Sequence, residues 1–187
     1  MMAYFCRRVL FLFLPLLGGV VLFGCDGDDA PDPVVANSSG MSAVVNGVDW
    51  KASNGNFKLG SRTITEGTSA FVGTGDTLTI VGVQVQGTDT SAIILSVKLK
   101  PKKIGSYRLR SGGTGEGIAY FLPDGIAANA LKETKGNYNG GIINGELQIA
   151  AYDSINYNVS GNFGFSMSAP GETTYTIIAG KIENVTF

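Results

Sequence analysis

Apolar and polar positions alternate with a period of two along most of this 187-residue chain, the spacing that puts neighbouring side chains on opposite faces of a strand. The alternation is cleanest in 93–100, where Ile93, Leu95, Val97 and Leu99 share one face and Ser96, Lys98 and Lys100 the other. Pro101 ends that run. The stretch 106–110 returns, with Tyr107 and Leu109 inward and Arg108 and Arg110 outward. In 157–168, Phe163, Phe165 and Met167 alternate with Asn162, Gly164 and Ser166. Asn46-Gly47 joins 42–45 to 48–52, and both residues accept the positive φ that a two-residue hairpin turn needs. Further extended runs cover 57–65, 69–73, 77–86, 117–122, 142–152 and 173–187, with Ala169-Pro170-Gly171-Glu172 as the final turn. Only 127–134 has any helical character, and it is short. The pattern predicts an all-β fold, an antiparallel β-sandwich or small barrel-like sandwich of about nine or ten strands.

The beginning of the chain follows another rule. Arg7 and Arg8 precede an apolar run, 9–23, broken only by Pro15 and Gly18-Gly19. A spanning helix needs about 20 apolar residues, so this run has the length of a signal-peptide core. It ends in Leu22-Phe23-Gly24-Cys25, which resembles a bacterial lipobox, with Phe23 bulkier than the favoured residue at its position. The resemblance implies cleavage before Cys25, a diacylglycerol on its sulfur and an acyl chain such as palmitate on its new amino group. We therefore expect a lipoprotein signal peptide over 1–24, the lipidated Cys25 and a flexible acidic tether over 25–40, and one β domain over 41–187. Cys6 would leave with the signal, so the mature chain has no partner for an internal disulfide.

Asp26, Asp28, Asp29 and Asp32 follow the anchor without the closing Glu of an EF-hand loop. They resemble the export signals of Bacteroidota surface lipoproteins, which implies an outer-membrane location facing the medium; an outer-membrane anchor facing the periplasm is the alternative.

Composition narrows the chemistry. The chain has no His, which excludes Ser-His-Asp and Cys-His mechanisms and His-ligated metals. Charged residues are 16% and the net charge is -1; without Arg7 and Arg8 the 14 basic residues become 12 against 15 acidic ones. That balance does not suit a nucleic-acid binder. The 27 Gly show no Gly-X-Y period and read as turns between strands.

Lys98, Lys100, Lys102, Lys103, Arg108 and Arg110 gather half of the mature positive charge. By strand parity Lys98, Lys100, Arg108 and Arg110 point outward and are expected to form one patch, suited to an acidic glycan or to phosphate groups. The competing reading is a solvated strand face whose lysines discourage edge pairing. Trp50, the only Trp, shares parity with Val48 and Ala52 and is expected in the core rather than on a sugar-stacking platform. Glu116, Asp124, Glu133, Glu146 and Asp153 are scattered singly, so no pair is marked out for glycoside hydrolysis. The glycine-rich stretch 112–117 lacks the Lys-Ser/Thr ending of a phosphate loop. Asp76-Thr77-Leu78 and Asp153-Ser154-Ile155 resemble Bacteroidota O-glycosylation acceptors, and Ser154, between strands, is the better placed.

Three stretches carry a family resemblance: Met41-Ser42-Ala43-Val44-Val45-Asn46-Gly47-Val48-Asp49-Trp50-Lys51-Ala52, Ile104-Gly105-Ser106-Tyr107-Arg108-Leu109, and Val159-Ser160-Gly161-Asn162-Phe163-Gly164-Phe165 with Ile182-Glu183-Asn184-Val185-Thr186-Phe187. They resemble a family of uncharacterised Bacteroidota lipoproteins with a secreted all-β domain; Val185 stands where that pattern usually has Gly. The resemblance brings no catalytic or binding residues with it. The expected function is a lipid-anchored, non-enzymatic binding or accessory module for a glycan or a partner protein, with no metal or cofactor. A structural envelope lipoprotein is the alternative, and a hydrolase the third reading. A terminal Phe187 also fits an outer-membrane barrel, but the uneven strands argue against one.

Overall fold

The computed structural model describes residues 39–111, 115–123 and 142–187. Every regular element among the described residues is a strand: β1 (Gly40–Val45), β2 (Val48–Lys51), β3 (Phe57–Leu59), β4 (Arg62–Ile64), β5 (Thr68–Gly73), β6 (Thr77–Gln86), β7 (Asp89–Lys98), β8 (Gly105–Arg110), β9 (Gly117–Leu122), β10 (Ile142–Asp153), β11 (Asn158–Ser168) and β12 (Tyr175–Thr186). The all-β expectation holds. The signal and tether expectations, apart from Ser39 and Gly40, and the segment 127–134 lie outside the described residues.

Ten strands form one sheet in the order β2-β1-β12-β11-β10-β8-β9-β7-β6-β5. Neighbours are antiparallel except β8 and β9, which meet in parallel at Leu109 and Gly117. The sheet curls until β1, β2 and β12 lie over β5 and β6, and β2 and β5 remain as its two edges. A sandwich packed from within results. The inward positions read from the alternation, Ile93, Leu95, Val97, Leu99, Tyr107, Leu109, Phe163, Phe165 and Met167, are all buried there.

The run 57–65 is two strands rather than one. It reverses at Gly60, whose φ of 62° is open to glycine, so that Phe57 pairs with Ile64. This hairpin covers a second apolar cluster of Phe57, Ile64, Val81, Val83, Ala92, Ile94 and Leu122. The covered face explains why Ile93, Ile94 and Leu95 are all buried in succession: mid-strand, β7 is apolar on both sides.

Close approaches fix the layers. A Cβ on Gly82 would stand 2.7 Å from the Met41 sulfur and 2.8 Å from the Trp50 ring, so β6 and the β1–β2 hairpin touch through this glycine. On β11, Phe165 lies opposite Gly145 of β10, and Phe163 opposite Gly180 of β12. The predicted turn is present, with φ of 48° at Asn46 and 84° at Gly47. Asn46 also ties the turn to the start of β12: its Oδ1 accepts from Thr176 N–H at 2.7 Å and its Nδ2 donates to Thr174 O at 3.2 Å.

Register defines two ends. The chain enters β1 at Gly40, opposite Glu183 near the finish of β12. This entry end also holds the β10–β11 turn, the β5–β6 turn at Asp76 and the loop between β7 and β8. The far end holds Asn46-Gly47, the β6–β7 turn and the finish of β9.

Candidate functional site

Along the inner face of β6 the side chains run Leu78, Ile80, Gly82 and then Gln84 and Gln86; along β7 inward from its start they run Asp89, Ser91, Ile93 and Leu95. Gln84 pairs across the strands with Ser91, and Gln86 with Asp89. The inside of the sandwich therefore changes from apolar to polar as it reaches the far end. Opposite, on β2, Val48 has the same inward parity as Trp50, yet it is 68% exposed whereas Trp50 is 4% exposed. The two layers part here.

The opening is a cleft of about 230 Å³ lined by Val45, Val48, Asp49, Trp50, Gln84, Gln86, Asp89, Ser91, Phe121 and Pro123. Its floor is organised. Trp50 Nε1 donates to Ser91 Oγ at 2.8 Å, and that hydroxyl lies 3.5 Å from Gln84 Oε1. Behind the wall, the Phe121 and Tyr175 rings meet at 5.0 Å and 58°. Two amides, two carboxylates and a hydroxyl around apolar ring edges supply paired donors and acceptors beside C–H-accepting surface.

Trp50 is in the core as its parity indicates, and its indole also forms the base of this cleft. The cleft itself escaped the sequence reading. Its signal was present, as polar residues at inward parity in 84–91, but recognising it requires knowing which face of β6 is inner.

The basic residues are arranged otherwise than expected. β7 and β8 are not hairpin neighbours, because β9 lies between them. All four outward cations are exposed. Lys98 and Arg110 border one hollow of about 230 Å³ together with Glu116. Lys100 instead pairs with Asp76 at 2.6 Å, which raises its pKa through the hydrogen bond and then the charge. Arg108 offers its backbone N–H to Glu116 Oε2 at 3.0 Å and lies opposite Glu146 in the ladder. That backbone bond, followed by the Lys102 side chain, holds the Glu116 carboxyl below its usual range. Carboxylates thus lie among the four cations, with Lys100 ion-paired to Asp76.

Among the other carboxylates, Asp153 is committed to the β10–β11 turn, accepting from Ile155 N–H, Asn156 N–H and Asn156 Nδ2. Ser154 is exposed in that turn. Cys25, Asp124 and Glu133 lie outside the described residues, as does 112–114 of the glycine-rich stretch.

The fold and cleft together define a β-sandwich with a polar opening at one end. Comparison with known proteins finds no matching family model, no matching curated protein and no matching solved structure.

Proposed function

We propose that the mature chain is a lipid-anchored, non-enzymatic binding module on the surface of the outer membrane of a Bacteroidota-like bacterium, and that it takes a saccharide in the far-end cleft. The observation that carries the binding reading is the run of polar side chains, Gln84, Gln86, Asp89 and Ser91, at inward positions above Trp50. Polar groups at inward positions are costly when buried without partners, so placing them at a mouth suits a ligand rich in hydroxyls. Vicinal hydroxyls can bridge an amide and a carboxylate, while sugar C–H faces meet the apolar edges of Val48 and Phe121. The anchor reading is supported by the order of basic residues, apolar run, Gly24 and Cys25.

The test is a neutral and acidic glycan array, followed by titration of the best ligand into Gln84→Ala and Asp89→Ala variants. Each variant is expected to bind about tenfold more weakly, the loss of roughly one good hydrogen bond. Absence of any glycan ligand, or variants that bind like the parent, contradicts the reading. Lys98 and Arg110 support a second site, because they share a hollow. Binding that weakens steeply with salt and is lost in a Lys98→Ala/Arg110→Ala variant assigns the ligand there instead.

A further inference from the structure

Exposed apolar side chains are unevenly distributed over the two ends. Of the six large ones among the described residues, four lie at the entry end: Val72 at 38%, Ile104 at 57%, Ile155 at 84% and Tyr157 at 58% exposed. Ile155 and Tyr157 form the tip of the β10–β11 turn, Ile104 precedes β8, and Val72 lies near the β5–β6 turn. The far end presents Val48, and Ile178 lies along β12.

The tip is built rather than loose. Tyr157 holds a φ of 55°, a left-handed conformation that bulky residues seldom adopt, and its carbonyl accepts from Phe187 N–H at 2.8 Å. The Phe187 ring meets Tyr157 edge-on at 6.0 Å and stacks on Tyr152 at 4.9 Å. Lys103 Nζ sits 5.1 Å from the Tyr152 ring centre. Nearby charges are internally matched: Lys100 with Asp76 at 2.6 Å and Lys102 with Glu116 at 3.1 Å. The Asp153 carboxylate is taken up by its own turn. Exposed Ile155 and Tyr157 thus stand among charges of both signs.

The chain path indicates what this tip meets. Ser39 and Gly40, the first described residues, are at the same end. Cys25 lies fourteen positions before Ser39, a reach of at most about 50 Å. The tether thus joins the β domain at the end where the apolar side chains stand. Tyr at the headgroup level beside aliphatic tips is the composition of a membrane-interface contact.

We infer that the entry end rests on the bilayer that holds the anchor, with Ile155, Tyr157 and Ile104 entering its interfacial layer, which turns the polar cleft outward. This rests on the lipid-anchor reading above. Because charges of both signs surround the tip, the contact depends little on salt or on anionic lipid.

The experiment uses the processed, lipidated protein reconstituted in vesicles of phosphatidylethanolamine and phosphatidylglycerol. Ile155→Cys, Ile104→Cys and Val48→Cys are each labelled with an environment-sensitive dye and exposed to lipids carrying a shallow spin-label quencher. All three positions are exposed, so the variants keep the core intact. Labels at 155 and 104 are expected to lose about half of their emission or more, and the label at 48 almost none. Equal quenching at 48 and 155, or none at 155, overturns the orientation. A sugar found on Ser154 also overturns it, since a hydrated glycan would keep the tip out of the bilayer. The intact mass of the same sample reports the acyl groups. A mass without them sinks the anchor reading, whereas acylation without quenching at 155 sinks only the orientation.

Discussion

Trp50 joins the two layers of the sandwich by two unlike means. Its ring packs against Gly82 of β6, where no larger side chain fits, and its Nε1 donates to Ser91 on β7. A Gly82→Ala substitution would set a methyl 2.8 Å from the Trp50 ring and 2.7 Å from the Met41 sulfur. Met41 can yield through its flexible side chain, but the indole is rigid and buried, so the layers must shift. We predict a loss of about 1–3 kcal/mol in urea unfolding, typical of overpacking. As Trp50 is the only Trp, its emission should also move as the indole loses its fixed surroundings. An unchanged midpoint and spectrum would show that the contact is not binding the layers. The burial of Trp50 could be read from parity with its strand neighbours. Its role as the base of a cleft could not, because Ser91 and Gln84 come from strands far along the chain.

Individual elements show where alternation suffices and where it fails. It correctly oriented β7, β8 and β11, since each has one face on the main core. It gave no warning of the β3–β4 hairpin, which buries a second face of β6 and β7 and makes Ile94 as much a core residue as Ile93. A sequence adjacency also misled. The basic strands on either side of Pro101 look like a hairpin, yet β9 pairs with β7 through a long ladder from Ala92 to Val97 and displaces β8. Long-range pairing decides this, and no local turn signal encodes it.

The β10–β11 turn carries its own prediction. Hydrogen bonds from Asn156 N–H first, then Asn156 Nδ2 and Ile155 N–H, hold Asp153 below the usual aspartate pKa. A carboxyl with a lowered folded pKa contributes stability above its unfolded pKa and loses that contribution as pH falls through the folded value. Melting temperatures of the parent and Asp153→Asn should therefore converge on acidification from about pH 5 to about pH 2, with the parent the more stable at neutral pH. Parallel curves would mean that the carboxylate is not holding the turn.

For the molecule as a whole, the two ends differ in character. The entry end gathers the exposed Ile155, Tyr157, Ile104 and Val72, and the far end opens into the polar cleft over Trp50. In the proposed reading, residues 1–24 are a signal and Cys25 is the attachment point. The proposed membrane attachment and orientation both follow from lipidation of that cysteine. The most direct measurement is the intact mass of the protein extracted from the membranes of cells expressing the full chain, compared with a Cys25→Ala variant. The account predicts a mature chain that begins at Cys25 and carries a diacylglycerol on sulfur and an acyl group on the amine, and no lipidated mature species from the Cys25→Ala variant. A chain cleaved elsewhere, or one that keeps Cys25 as a free thiol, would contradict it.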